Sequence, residues 1–174
     1  MAIRKILTEP DQFLRQKSKE VGKVDKEIQN IMDDMLETMY NAPGIGLAAI
    51  QVGVPKRIIV IDLSKEDQKK NPLYFVNPEI ISRSDQNAVY EEGCLSVPNQ
   101  FAEIDRPDKC HIKFLDYDGV KQLLKAEGLL ATCIQHEIDH LEGILFIDYL
   151  SKLKKGMIIK KLSKQKKSLE RIAF

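Results

Sequence analysis

The chain has 174 residues, of which 43% are hydrophobic and 30% are charged, and its formal net charge at pH 7 is +1. These proportions are ordinary for a soluble globular protein and predict a single domain, residues 1–174, with a substantial core. Because the net charge is small, we do not expect the whole protein surface to attract DNA. The apolar runs are too short to span a membrane, and no signal sequence is visible. We therefore expect a cytoplasmic protein.

Two helices are predicted in the first part of the chain. Thr8-Glu9-Pro10-Asp11 can open a short helix, with Pro10 near its first turn. Asp25 is a good N-cap for a longer amphipathic helix, which ends near residues 41–44 because a proline and a glycine prevent its continuation. Its apolar residues follow at helical spacing and are Ile28, Ile31, Met32, Met35, Leu36 and Met39.

The stretch from Gly44 to Ala49 reads Gly-x-Gly-x-x-Ala, like the phosphate-binding loop of dinucleotide-binding proteins. That loop must follow a strand and open a helix. Here a helix precedes the glycines and a predicted strand follows them, so we reject the dinucleotide interpretation. We expect instead a loop that lies against a functional site, where glycine lets a ligand come close.

Five segments have the composition of strands: residues 57–63, 73–84, 88–92, 109–116 and 120–126, the last two joined by an Asp118-Gly119 turn. A second helix is predicted at about 129–142, closed by Gly143, and an amphipathic C-terminal helix at about 151–171. Because helices and strands do not alternate, we expect an α+β fold with mixed or antiparallel strands around the second helix.

The second helix contains Gln135-His136-Glu137-Ile138-Asp139-His140, a His-Glu-x-x-His motif. His136 and His140 are four residues apart and therefore lie on one face, where they can share a metal ion. The helix is largely apolar and should be buried, and two buried imidazoles without a ligand would be costly. The motif therefore predicts a metal site rather than two exposed histidines.

Two histidines need a third ligand, and the three cysteines are candidates for it. Cys133 shares the histidine face, but it lies about 10.5 Å from His140 along the helix axis, so we expect it to line a cavity beside the metal. Cys110 and its neighbour His111 lie in a predicted strand and are interpreted as structural. Cys94 follows a glycine where a strand ends, which makes it the candidate for the third ligand.

Three segments together resemble the peptide deformylases, enzymes that remove the N-formyl group from new bacterial polypeptides. The segments are Gly44-Ile45-Gly46-Leu47-Ala48-Ala49-Ile50-Gln51, Glu92-Gly93-Cys94-Leu95-Ser96 and Gln135-His136-Glu137-Ile138-Asp139-His140-Leu141. All three are intact and in the order of the family, so the resemblance covers essentially the whole chain. One departure is Phe101, where many bacterial members carry an arginine near the rim of the substrate groove.

The resemblance implies a hydrolase that releases formate from the N-terminal formyl-methionine of newly made polypeptides. Three protein ligands leave the fourth position of a metal ion open to water, whose pKa the ion lowers toward about 7. Glu137 directly follows a ligand and would act as general base and then as general acid. The resemblance assigns the oxyanion donors to the side-chain amide of Gln51 and the backbone N–H of Leu95.

The same resemblance implies the identity of the metal ion and further residues that contact the substrate. A thiolate with two imidazoles suits iron, zinc, cobalt or nickel, and the resemblance implies one Fe²⁺, with Ni²⁺, Co²⁺ or Zn²⁺ as alternatives in purified protein. Leu129 and Cys133 share the histidine face and would line a pocket for the methionine side chain. The resemblance places four more residues around the substrate: Ile45, Gly46, Tyr90 and Glu92.

The C-terminal helix is strongly basic. Residues 152–171 contain nine lysines and arginines and one acid, Glu170, interleaved with apolar residues at roughly helical spacing: Leu153, Met157, Ile158, Leu162 and Leu169. One interpretation is a helix docked by its apolar side with a solvated lysine face. The other is a face that contacts ribosomal RNA, where the substrate emerges.

Two other functions stay open at this stage. A His-Glu-x-x-His metalloprotease would share the metal and the glutamate, but its third ligand usually lies downstream, and no histidine follows His140. A non-catalytic domain with a structural metal would need four protein ligands and no use for Glu137.

Overall fold

The structure is a computed structural model and describes residues 1–172. Its α-helices are α1 (Lys26–Asn41), α2 (Gly128–Leu141) and α3 (Lys152–Ile172). Its strands are β1 (Gly46–Ala48), β2 (Ile58–Ile61), β3 (Leu73–Arg83), β4 (Asn87–Cys94), β5 (Val97–Pro107), β6 (Lys109–Leu115) and β7 (Lys121–Glu127). Short 3₁₀ helices lie at Gln12–Arg15, Ala49–Val52 and Phe146–Tyr149.

The strands form two antiparallel sheets. One has five strands in the order β1-β2-β3-β6-β7, and the other is the hairpin β4-β5. With three helices packed around these sheets, the expected α+β fold is confirmed.

The five-stranded sheet is buried on both faces at β2, where successive side chains alternate between two helices. Ile59 and Ile61 belong to the core cluster that contains the apolar residues of α2. Ile58 and Val60 belong to the cluster that contains the methionines of α1. This explains why β2 is apolar throughout its length rather than alternating.

The helices agree closely with the sequence expectations. Asp25 caps α1 by accepting a hydrogen bond from the backbone N–H of Ile28, and five of the six apolar residues predicted for its core face are buried, Leu36 being partly exposed. α2 begins and ends within one residue of the predicted bounds, and Gly143 follows it with a φ of +74°. The short N-terminal helix begins after Asp11 rather than at Thr8, because Asp11 is its N-cap.

Two strands were missed. β5 contains two prolines, an asparagine and several charged residues, so its sequence lacks a strand pattern, and its pairing with β4 holds it in place. β1 is only three residues long and lies inside the glycine loop.

α3 docks through a narrow apolar line rather than through all its apolar residues. Leu162 is buried, and Ile158 and Ile159 pack beside it against β5 and residues 145–147. Leu153, Met157 and Leu169 are exposed. Within residues 1–172, no helix is long and apolar enough to cross a membrane.

Candidate metal centre

Two elements bring the three predicted metal ligands together. His136 and His140 project from one face of α2, and Cys94 is the last residue of β4, where the hairpin turns through Leu95 and Ser96. The candidate ligand atoms of these three residues all lie within 4.8 Å of one another, with Cys94 Sγ 3.3 Å from His140 Nε2. The two segments are over forty residues apart in sequence, so only the fold creates this cluster.

The surroundings of the cluster fit a bound divalent metal ion. The Nδ1 atom of His136 lies 2.8 Å from Glu92 Oε1, a contact that orients the imidazole and leaves Nε2 available as a ligand. His140 is 1% exposed, and its Nδ1 has no hydrogen-bond partner within residues 1–172. One sulfur and two imidazole nitrogens are three donors of the kind that catalytic metal sites use, with a further coordination position left for water.

Glu92 is held in a buried ionic network. Arg106 donates to both of its carboxylate oxygens, at 2.7 and 3.0 Å, and also to Asp139 on α2 at 2.8 Å. Burial acts to raise the pKa of Glu92, but the hydrogen bonds from His136 and Arg106 outweigh it and lower the pKa. The carboxylate is therefore ionised and directed at His136. Glu92 lines the cavity, yet its polar atoms are engaged by the protein, which favours a positioning role over the expected substrate contact.

Glu137 lies beside the cluster in a desolvated position. It is 5% exposed, and burial raises its pKa to about 7. Its Oε2 atom has no hydrogen-bond partner within the described part of the chain. A Cβ atom added to Gly46 would lie 2.6 Å from Glu137 Oε1, so the glycine leaves the space that this carboxylate occupies.

The side-chain amide of Gln51 has a fixed orientation. Its Oε1 accepts a hydrogen bond from the backbone N–H of Ala48 at 2.9 Å, so its Nε2 faces Ser96 Oγ at 3.0 Å and Cys94 Sγ at 3.5 Å. The N–H of Leu95, at the hairpin turn, donates to no protein acceptor within residues 1–172. Both groups are hydrogen-bond donors next to the candidate metal ligands.

A cavity of about 450 Å³ lies over the cluster. Every residue predicted for the site lines it except His140. The lining includes Ile45, Tyr90, Leu129 and Cys133, and burial raises the pKa of the Cys133 thiol to about 12, so this side chain is uncharged. Phe101 lies at the mouth and is 66% exposed.

Cys110 and His111 lie outside the candidate ligand cluster found within residues 1–172. Cys110 is buried in the sheet core, as expected, and burial raises the pKa of its thiol. His111, its neighbour on β6, takes no part in the ligand cluster found within residues 1–172. Arg106 and Ser96 were missed by sequence reasoning, because both act through partners on another strand or turn and no local spacing indicates this.

The amino-acid sequence matches a family profile, and its sequence relatives carry the same family name. The sequence profile of the family described as "Polypeptide deformylase" matches residues 3–156. The chain is 69% identical over 166 residues to a peptide deformylase of Pelagibacter ubique, covering 95% of this chain and 96% of that protein. It is 54% identical over 168 residues to a peptide deformylase of Rhizobium meliloti, covering 97% of each.

Solved structures agree with the sequence relatives. The crystal structure of peptide deformylase from Ehrlichia chaffeensis in complex with actinonin has a TM-score of 0.91 and 45% identity, covering 95% of this chain and 98% of that one. A peptide deformylase from Legionella pneumophila has a TM-score of 0.89 and 46% identity, covering 98% and 99%.

Proposed function

The chain belongs to the peptide deformylase family, and we propose that Cys94, His136 and His140 bind the metal ion that this family requires. The enzyme removes the N-formyl group from nascent polypeptides. The observation that carries the site assignment is the convergence of the three ligand atoms within 4.8 Å, next to the buried carboxylate of Glu137.

The metal ion, when bound with one position open, supplies a water of lowered pKa and so a nucleophile near neutral pH. Glu92, held by Arg106, keeps the His136 ring in place through Nδ1. Ligand geometry is therefore set by the protein before the ion binds, which favours a single coordination arrangement.

We assign proton transfer to Glu137. Its raised pKa, near 7, means that the carboxylate can accept a proton from the attacking water and release it again at cytosolic pH. The proton then goes to the leaving amine nitrogen, and formate is released. The close approach of Gly46 leaves room for the carboxylate at this position.

We assign oxyanion stabilisation to Gln51 and Leu95. The Nε2 of Gln51 and the backbone N–H of Leu95 lie beside Cys94, where the formyl oxygen would develop negative charge. Since Ala48 holds the amide of Gln51, this donor needs no reorganisation during the reaction.

The apolar part of the cavity suits the methionine side chain of the substrate. Leu129 and Cys133 come from the histidine face of α2, Ile45 precedes the glycine that contacts Glu137, and Tyr90 comes from β4. These four side chains and the backbone of Gly46 are proposed to contact the substrate.

The test is formate release from formyl-Met-Ala-Ser by protein purified without oxygen, with metal analysis. We expect one Fe²⁺ per chain as the native ion, replaceable by Ni²⁺ or Co²⁺ and less well by Zn²⁺. Turnover of the formylated peptide but neither of its unformylated twin nor of casein is the expected result. Casein cleavage would instead support the metalloprotease alternative, against the family assignment.

We also propose a cytoplasmic enzyme that works as one catalytic domain and contacts the ribosome through α3. The support is the exposed basic surface of this helix, which suits a phosphate backbone. Because Leu162 is buried, deletion of α3 would disturb the core. Glutamate substitutions of the exposed Lys164 and Lys167 are the better test, and unchanged ribosome affinity in that variant would contradict the contact.

A further inference from the structure

A second groove opens beside the metal-site cavity, between β5 and α3. Its volume is about 660 Å³, within the range of ligand-binding pockets. Met157 and Ile158 of α3 give it an apolar floor, while Lys154 and Lys161 make its rim basic. β5 contributes one acid, Glu103.

The groove and the metal-site cavity adjoin at Phe101. Gln100 and Phe101 line both spaces. Phe101 is the cross-strand partner of Gly93, and its ring is so close that a Cβ on Gly93 would lie 2.6 Å from it. Gly93 directly precedes Cys94, so the boundary between the two spaces lies next to the catalytic cluster.

The lysines of the groove are available to bind an anion. The ion pairs of residues 1–172 include Lys155 with Asp148 but involve neither Lys154 nor Lys161. These two lysines are seven residues apart on one helix face, about 10.5 Å along the axis, which is the length of about three extended residues. Among residues 1–172, the groove is lined by the two lysines and a single acid, Glu103, so its lining has a net positive charge.

We propose that this groove is a second substrate subsite, which binds the polypeptide several residues beyond its formyl-methionine and favours acidic side chains there. The proposal rests on the proposed function, because the first residue of the substrate must lie at the metal centre. A chain held there by its N-terminus reaches an adjoining groove at a high effective concentration, so weak contacts suffice. The apolar floor accommodates the side chains between the acids.

The test compares formylated nonapeptides that begin Met-Ala-Ser and carry either two glutamates or two lysines among residues 4–8. We expect kcat/KM to be about three- to tenfold higher for the acidic peptides, a size typical of two exposed charge pairs. The preference should shrink at high salt and should depend on where the acids are placed, which locates the subsite.

Matched variants identify the groove as the cause. Lys154→Glu combined with Lys161→Glu should reverse the preference, and Glu103→Gln should increase it. The control is Lys160→Glu combined with Lys167→Glu, which makes the same charge change on another face of α3 and should leave the preference unchanged.

Equal kcat/KM for acidic and basic peptides would overturn the subsite, as would an equal shift in the control variant. If Lys154→Glu combined with Lys161→Glu alters ribosome affinity but not peptide preference, the groove binds RNA, and the proposed subsite is also overturned. Formyl-Met-Ala-Ser lacks residues 4–8, to which the subsite is assigned, and therefore reports on the chemistry separately. If the wild-type enzyme does not turn over formyl-Met-Ala-Ser, the proposed function is contradicted. If it does, but shows no preference between acidic and basic nonapeptides, only the subsite is contradicted.

Discussion

The amide of Gln51 can point in only one direction. Its oxygen is held by the N–H of Ala48, which turns its nitrogen toward Cys94 and Ser96. The glycine loop had suggested a phosphate-binding role, yet its one polar side chain is the group that faces the candidate metal ligands. The residues around it explain this orientation without any bound ligand.

Replacement of Gln51 tests the oxyanion assignment. We expect both Gln51→Ala and the nearly isosteric Gln51→Glu to lower kcat about 10²–10³-fold, since each removes a fixed donor. Metal content measured by atomic absorption should stay at the wild-type level. Gln165→Ala, on the exposed surface of α3, is the control and should keep full activity. Wild-type turnover in both Gln51 variants would contradict the role.

Gly46 provides a second test at the residue scale. A methyl group there would lie 2.6 Å from Glu137 Oε1, so Gly46→Ala must displace the carboxylate. We expect kcat to fall about 10–10²-fold with little change in the thermal midpoint, because a small displacement of a catalytic group is costly. Gly22→Ala, where no atom lies within 4 Å, should change neither quantity. An active Gly46→Ala enzyme would show that Glu137 does not need its present position.

At the scale of elements, α2 joins the core to the chemistry. One side packs on the five-stranded sheet through Ile134, Ile138 and Leu141, and another side carries the two histidines, of which His136 lines the cavity. Polar residues on the remaining side are also used, since Gln135 donates to Pro107 O and Asp139 accepts from Arg106. The helix is thus fixed on every side, which keeps the ligands in place.

The end of α2 requires glycine. Gly143 has a φ of +74°, and a Cβ there would overlap the backbone carbonyl of Arg15. We expect Gly143→Ala to lower the free energy of unfolding by at least about 1 kcal/mol, measured by urea denaturation. Gly156→Ala is the matched substitution with the opposite sign, because it lies inside α3 in open space and alanine favours the helix by about 1 kcal/mol. Equal effects at the two positions would contradict this explanation.

At the scale of the whole molecule, the N-terminal segment is tied to the segment after α2. Arg15 donates to Asp148 at 2.6 Å and to Glu9 at 2.7 Å, and its guanidinium also reaches Gly143 O. Burial acts to raise the pKa of Asp148, but its hydrogen bonds, that from Arg15 first, outweigh this and lower the pKa. These contacts join the N-terminal segment to residues 143–148, directly after the helix that carries the candidate metal ligands.

The lowered pKa of Asp148 predicts a pH-dependent stability. A carboxylate whose pKa is lower in the folded state contributes stability above its ordinary pKa, near 4, and loses that contribution as the pH falls through the folded value. The free energy of unfolding should therefore decrease below about pH 4, and Asp148→Asn should weaken this dependence. Asp67→Asn, in an exposed loop, is the control. Identical pH profiles for wild type and Asp148→Asn would contradict the contribution.

Much of the site could be predicted from sequence because its parts are local. The spacing of His136 and His140 determines a shared helix face, and Cys94 after a glycine at a strand end marks a presented side chain. Arg106 could not be predicted in the same way, because its role depends on Glu92 across the hairpin and on Asp139 across a helix–sheet contact. No periodicity encodes a partner on another element.

The sequence by itself determined the helices, most strands, the candidate metal ligands and the family, because helix periodicity, caps, turns and short motifs are properties of neighbouring residues. Only the tertiary structure decided that β5 is a strand, that the Glu92 carboxylate is held by His136 and Arg106, and that the exposed Met157 of α3 lines a basic groove. These outcomes depend on pairing and burial between distant segments, whose energies are set by the partner as much as by the residue.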